Sequence, residues 1–253
     1  MICYEHPLNE RVRTLLRLEK LYNKVGYFCV GEEGDALKHH VALITLFEIL
    51  DVAGRADLKS EMLQELERQK QTLEALRDNP DVSADVLVRV LEEINGAFRN
   101  MLAMTGKIGQ HLRENEWLMS IKQRVGLPGG VCEFDLPSYH YWLHQSAAAR
   151  GQDLSAWLAP LLPIRDGLAI VLRLLRDSGR TTHHNASQGA FQQMLAGRAA
   201  QLVRLNLPED LPCTPEISAN KYALNIRFVQ VSTAQKPKTF EGNVEFDLTF
   251  CSL

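Results

Sequence analysis

The stretch Glu5-His6-Pro7-Leu8-Asn9-Glu10 leads directly into Arg13-Thr14-Leu15-Leu16-Arg17-Leu18-Glu19, and it combines the end of a strand with the start of a helix. Pro7 lacks an amide hydrogen and favours an extended residue before it. Asn9 can accept a hydrogen bond from the free amide groups at the start of a helix. The sequence therefore predicts a short strand over residues 2–5 and a helix that begins near Glu10.

The predicted first helix has two chemically different faces. Apolar residues recur at intervals of three or four along one face, at Leu8, Val12, Leu15, Leu18, Tyr22 and Val25. Basic residues recur at the same intervals elsewhere, at Arg13, Arg17, Lys20 and Lys24. One face should pack and the other is cationic. For a single stripe of this kind, a solvated face with ion pairs to Glu10 or Glu19 is the ordinary interpretation.

Length and composition place the chain among globular proteins. Its 253 residues, 45% of them hydrophobic and 23% charged, suffice for one large or two modest domains. A net charge of −3 gives no overall attraction to nucleic acid, so no nucleic-acid partner is expected. No run of about 18 apolar residues and no apolar leader occurs, which predicts a cytoplasmic protein that does not enter the membrane. The five scattered cysteines are expected to be free thiols.

The first two thirds of the chain carry helical patterns. A helix over residues 36–52 is bounded by Gly34 and Gly54. Residues 57–78 and 87–101 repeat apolar side chains at steps of three and four on either side of Asn79-Pro80-Asp81, which predicts an antiparallel helical hairpin. A dimeric coiled coil is a second interpretation of that stripe, but the polar Gln69 and the short length favour packing within the chain. Further helices are expected over residues 107–125 and 154–176.

After Ser178 the pattern changes to short strands, at residues 202–207, 222–231 and 243–250, the last two with clear alternation. Residues 2–5 and 131–134 are expected to join them, because an isolated pair of strands is marginally stable. The fold class is therefore α+β. The prediction is a mainly helical domain over residues 8–178, with 131–137 contributing to the β region. Residues 1–7 and 198–253 form the smaller β-rich domain.

Signatures of catalysis are weak. His140 and His144 lie four residues apart, a spacing that places two imidazoles on one side of a helix. The glutamate of a zinc-protease motif is absent, and no third ligand is close in sequence, so no metal is predicted. Phosphate-binding, dinucleotide-binding and nucleophile-elbow glycine motifs are also absent. No catalytic residue and no cofactor are therefore expected, although an enzyme that uses His140 and His144 remains the alternative.

The opening block and four others, in the same order, resemble the ZapD family of bacterial division proteins. The other blocks are Ile108-Gly109-Gln110 with Leu112-Arg113-Glu114; Pro128-Gly129-Gly130, Cys132, Phe134-Asp135-Leu136-Pro137, His140 and Trp142-Leu143-His144; Leu202 with Arg204-Leu205-Asn206-Leu207; and Pro215-Glu216-Ile217-Ser218 with Ile226-Arg227-Phe228. Some members of this family carry a basic residue directly after the Leu-Arg-Glu block, where this chain has Asn115 and Glu116.

The resemblance implies a non-enzymatic cell division factor that binds the C-terminal tail of the tubulin-like polymer FtsZ. It implies a homodimer that bundles FtsZ filaments, stabilises the Z-ring and lies in the cytoplasm at the division site. The expected tail-binding residues, on the matching blocks or basic faces, are Arg17 first, His140 second, then Arg113 and Arg227, with Arg13, Lys20 and Arg124 as further cations. A helical adaptor for another acidic partner is a third possibility.

Overall fold

The computed structural model describes residues 1–29, 35–54, 57–195, 197, 200–232, 234 and 236–252. Gly34, proposed as a helix boundary, and Arg198, at the predicted domain boundary, lie outside the described residues. The chain divides into two compact units. We call residues 1–14 with 172–253 the sheet unit, and residues 15–171 the helical unit.

The helices follow the first strand and end at Asp177. They are α1 (Glu10–Cys29), α2 (Ala36–Ala53), α3 (Leu58–Glu74), α4 (Ala84–Ala103), α5 (Gln110–Arg113), α6 (Glu116–Val125), α7 (Pro137–Leu143), α8 (Ala147–Leu158) and α9 (Leu162–Asp177). One turn of 3₁₀ helix, Ala159–Leu161, lies between α8 and α9.

Helix α1 begins as predicted. The side chain of Asn9 accepts a hydrogen bond from the amide of Val12 at 2.8 Å, which satisfies one of the free donors at the helix start. The apolar face is buried at Val12, Leu15, Leu18, Tyr22 and Val25, which leaves the basic residues on the remaining surface of the helix.

Helices α3 and α4 pack against each other, which confirms the predicted hairpin. Met62 and Met101 are buried in their seam, and Gly167 of α9 approaches both methionines so closely that a Cβ there would collide with the sulfur of Met101. Gln69 is buried in the same region, and its amide donates to the carboxylate of Glu65 at 3.0 Å. Because α9 covers the seam, the apolar stripe packs within the chain.

Two expected helices and one expected strand differ from the structure. The helix expected over 107–125 is divided into α5 and α6, because Asn115 caps α6 by accepting from the amide of Leu118 at 3.0 Å. The helix expected over 154–176 is interrupted by the 3₁₀ turn that contains Pro160. The strand expected at 131–134 is wrong, since these residues form turns in which the carbonyl of Cys132 accepts from the amides of Asp135 and Leu136, each at 3.0 Å.

The strands form two antiparallel sheets in the sheet unit. They are β1 (Ile2–Pro7), β2 (Arg180–Ala186), β3 (Ala190–Met194), β4 (Leu202–Leu207), β5 (Cys213–Ala219), β6 (Ala223–Gln230) and β7 (Val244–Cys251). One sheet has the order β1-β4-β7-β2 and the other β3-β6-β5. Ile2 pairs with Leu207 and Pro7 with Leu202, so the N-terminal strand joins the C-terminal strands as predicted.

The inner faces of both sheets share one hydrophobic core. Val203, Leu205, Phe228, Phe246 and Leu248 are at most 1% exposed within it. These strands together with the helices confirm the α+β fold class. The domain ranges 8–178 and 198–253 stay a prediction, because a domain is defined by independent folding. Among the described residues, no helix combines the length and apolar character needed to span a bilayer.

Candidate functional site

The cationic face of α1 holds two basic side chains, Arg17 and Lys20, that no described residue neutralises. Arg17 and Lys20 are exposed and lie three residues apart, which places them side by side on the helix. Within the described part of the chain, neither makes a hydrogen bond or an ion pair. Both are therefore available to a partner that carries negative charge.

The ends of the same basic stripe are paired with acids. The Nε of Arg13 donates to Glu10 at 3.0 Å, and the Nζ of Lys24 donates to Glu48 at 3.1 Å. Such exposed ion pairs contribute little to stability, but they reduce the charge that a ligand meets at each end. The free positive charge is thus concentrated at Arg17 and Lys20.

Two other predicted site residues have acidic partners. Arg124 donates to Asp135 at 2.7 Å, and Arg227 donates through Nε to Glu216 at 3.0 Å. Arg227 and Glu216 are cross-strand neighbours on β6 and β5. Arg227 belongs to the sheet unit, whereas Arg17, Lys20, Arg113, Arg124 and His140 belong to the helical unit.

Arg113 has a structural role as well as an exposed surface. Its guanidinium donates to the carbonyl of Ile108 at 2.6 Å and to that of Leu50 at 3.3 Å. These bonds join the segment before α5 to the last turn of α2, where the carbonyl of Leu50 also accepts from the amide of Gly54 at 3.0 Å. A guanidinium has five N–H groups, so Arg113 retains donors beyond the two it uses here.

His140 and His144 lie together at the end of α7. Their ring centroids are 4.3 Å apart, and Nδ1 of His144 donates to the backbone carbonyl of His140 at 2.8 Å. The imidazole nitrogens of the exposed His140 make no hydrogen bond in the described part of the protein. Across those same residues, no group of three or more His, Cys, Asp or Glu side chains is arranged to hold a metal.

Helix α7 is anchored by aromatic and charged groups that the sequence alone did not indicate. Trp142 donates from Nε1 to Asp153 at 2.8 Å, and the hydroxyl of Tyr139 lies 2.6 Å from Nδ1 of His40. Burial lowers the pKa of His40 and raises that of Tyr139 well above its usual value. His40 is therefore neutral near pH 7, and the imidazole and the phenol form a hydrogen bond between uncharged groups.

A second anchor joins α2 to the end of α7. Arg150 is 3% exposed, and it donates to Nδ1 of His39 at 3.1 Å, to the carbonyl of Leu143 at 2.8 Å and to the carbonyl of Gln145. Burial and the nearby guanidinium lower the pKa of His39. The adjacent histidines His39 and His40 in an apolar helical pattern are a signal by which the sequence could have indicated this cluster. Arg150 follows three alanines, and nothing around it in the sequence indicated a buried side chain.

Comparison with known proteins gives consistent matches. The family model described as "ZapD: Cell division protein" matches residues 16–227. A cell division protein ZapD of Azoarcus sp. (strain BH72) is 56% identical over 253 residues, and all of both chains is covered. Proteins of the same name from Dechloromonas aromatica (strain RCB) and Chromobacterium violaceum are 58% identical over 254 residues and 57% over 252, with 100% and 99% of each chain covered. The chain therefore belongs to the ZapD family of cell division proteins.

Proposed function

We propose that this chain is a non-enzymatic cell division factor that binds the C-terminal tail of FtsZ and crosslinks FtsZ filaments. The observation that carries the proposal is the pair Arg17 and Lys20, exposed and unneutralised in the described structure, on the helix whose sequence block resembles the ZapD family. The protein would act in the cytoplasm at the division site, where it would stabilise the Z-ring.

The chemistry of α1 suits a flexible acidic peptide. A guanidinium can bind a carboxylate through two parallel hydrogen bonds, and an ammonium adds a point charge beside it. A disordered tail loses chain entropy when it docks, so the net affinity should be moderate. Because the contacts are exposed and charged, binding should weaken as salt is added.

The other predicted residues are proposed to contact the tail in a definite order. His140 follows Arg17 and Lys20, because its imidazole is exposed and its nitrogens are free within the described structure. Arg113 follows through its remaining N–H groups. Arg13, Arg124 and Arg227 would bind the tail only by exchanging Glu10, Asp135 or Glu216 for a tail carboxylate.

Crosslinking needs two tail sites on one particle. A homodimer with twofold symmetry carries two equivalent sites and can hold tails from two filaments, whereas a monomer can only decorate one filament. We therefore propose a homodimer as the active species. A monomeric variant should still bind a tail peptide but should fail to bundle filaments, and bundling by a proven monomer would contradict this mechanism.

The enzyme alternative has less support. In the pair that it would use, Nδ1 of His144 is already engaged with the carbonyl of His140, and the described residues offer no third ligand. Elemental analysis of the purified protein separates the two ideas, because a stoichiometric transition metal would favour the enzyme.

Sedimentation of FtsZ polymers tests the proposed function. The full chain should pellet with polymers of intact FtsZ and should increase the pelleted mass at low centrifugal force, as bundles do. It should not pellet with polymers of FtsZ that lack the C-terminal tail. Equal pelleting with both polymers would place the contact elsewhere on FtsZ, and pelleting with neither would support an adaptor for another acidic partner.

A further inference from the structure

The segment 104–109 between α4 and α5 separates two concave surfaces of the helical unit. One has a volume of about 650 Å³ and the other of about 730 Å³. Gly106, Lys107 and Gln110 contribute to both. Volumes of this size accommodate several side chains of a bound peptide. The segment thus forms a ridge, with Lys107 between two hollows.

The ridge is held in one conformation by three side chains. Nζ of Lys59 donates to the carbonyl of Met104 at 2.6 Å, and Arg113 donates to the carbonyl of Ile108 at 2.6 Å. The side chain of Gln110 accepts from the amide of Lys107 at 3.2 Å. Lys107 is therefore presented from an ordered backbone, which lowers the entropy that a ligand must remove on binding.

The charge around the ridge is positive on balance. The larger hollow is lined by the basic residues Lys59, Lys107 and Arg113 and by one acid, Asp57. The smaller hollow includes Glu114, whose carboxylate accepts from Gln110 at 2.7 Å. Lys107 itself is exposed, and its ammonium has no partner among the described residues. An exposed and unpaired lysine between two hollows favours a carboxylate ligand.

We propose that Lys107, with Lys59 and Arg113 beside it, binds carboxylates of an extended acidic peptide that lies across the 104–109 ridge. The peptide is the FtsZ tail, so this inference rests on the proposed function and extends its site from Arg113 to Lys107. Lys107 supplies a point charge, and Arg113 supplies the N–H groups that its two carbonyl bonds leave free. Asp57 also lines the larger hollow, and its carboxylate would repel the dense negative charge of a polyphosphate. The site therefore suits spaced carboxylates better.

Fluorescence anisotropy with a labelled FtsZ tail peptide tests the ridge in the full-length protein. Lys107→Met should weaken peptide binding by about threefold to tenfold at low salt and should reduce the salt dependence of the affinity, because one exposed charge pair is lost. Lys107→Arg should bind like the wild type. Lys236→Met, at an exposed lysine of the sheet unit with no partner in the described structure, is the matched control and should bind unchanged.

The outcomes separate this inference from the proposed function. If the wild type binds the peptide and Lys107→Met binds equally well, the ridge is not part of the site while the proposed function stands. If the wild type does not bind the peptide at all, both ideas are overturned. Thermal unfolding of Lys107→Met should match the wild type, since its ammonium makes no internal bond in the described structure.

Discussion

The Nε of Arg150 donates a hydrogen bond to Nδ1 of His39 at 3.1 Å, and both side chains are buried. Arginine has no acceptor, so Nδ1 of His39 must carry a lone pair and the imidazole is neutral. The same guanidinium donates to the carbonyl of Leu143, the last residue of α7, and to that of Gln145, two residues further along the chain. This pair therefore connects α2 to the helix that presents His140.

Replacement of Arg150 should destabilise the fold. In Arg150→Met, three acceptors lose their donor in a buried region, which should lower the free energy of unfolding by about 2–4 kcal/mol. Urea denaturation measures this loss. Arg89→Met is the control, because Arg89 is exposed on α4 without a partner in the described structure, and it should change stability by less than about 0.5 kcal/mol. Equal stability of the two variants would show that the buried bonds are dispensable.

Stability should fall in mild acid. The pKa values of His39 and His40 are lowered in the folded protein from their ordinary value of 6.5, so the unfolded chain takes up protons first as the pH drops. Their contribution to stability is complete above pH 6.5 and is lost progressively below it, by at most about 1.4 kcal/mol per pH unit for each histidine.

Urea midpoints at pH 7.5 and 5.5 check this dependence. His39→Gln keeps an acceptor for Arg150 and removes one titrating group, so its midpoint should fall less between the two pH values than that of the wild type. If the midpoint changes equally in both proteins between the two pH values, His39 does not contribute to the pH dependence of stability.

Two glycines should respond in opposite directions to alanine. Gly109 has φ +71°, and a Cβ there would collide with the side chain of Leu50. Gly109→Ala should therefore destabilise the protein by at least about 1 kcal/mol. Gly96 lies inside α4 with open space around it, and Gly96→Ala should stabilise the protein by about 0.5–1 kcal/mol. Thermal or urea unfolding of both variants measures these changes. If Gly109→Ala unfolds with the same free energy as the wild type, a Cβ at this position does not strain the contact with Leu50.

The elements that the sequence predicted are those marked by residues close to them in the chain. Asn9 marked the start of α1, and the apolar repeat around Pro80 marked the α3–α4 hairpin. Strands β2 and β5 were missed for a physical reason. Both lie at sheet edges, so the backbone groups along one side of each strand need no partner strand. Strand β2 is mostly polar, and β5 contains Pro215, a residue that an edge strand tolerates.

The candidate site was only partly predictable. The spacing of Arg13, Arg17 and Lys20 gave their common face, and Glu10 was named as a possible ion-pair partner of that face, as Arg13 shows. The sequence did not show that Arg17 and Lys20 stay free in the described structure. The partners of Arg124 and Arg227 are likewise set by the tertiary fold. Charge spacing follows from a helical pattern, whereas the neutralisation of Arg124 and Arg227 depends on acids 11 residues away in sequence.

Free cations on α1 are proposed to bind the FtsZ tail, and a peptide titration tests this binding most directly. Labelled tail peptide should bind the wild type and Arg89→Glu within about twofold of each other, whereas Arg17→Glu should bind at least about tenfold more weakly, a difference of about 1.4 kcal/mol. All three proteins should have the same urea midpoint, because neither arginine has an internal partner in the described structure. Equal affinity of Arg17→Glu and the wild type would contradict the account.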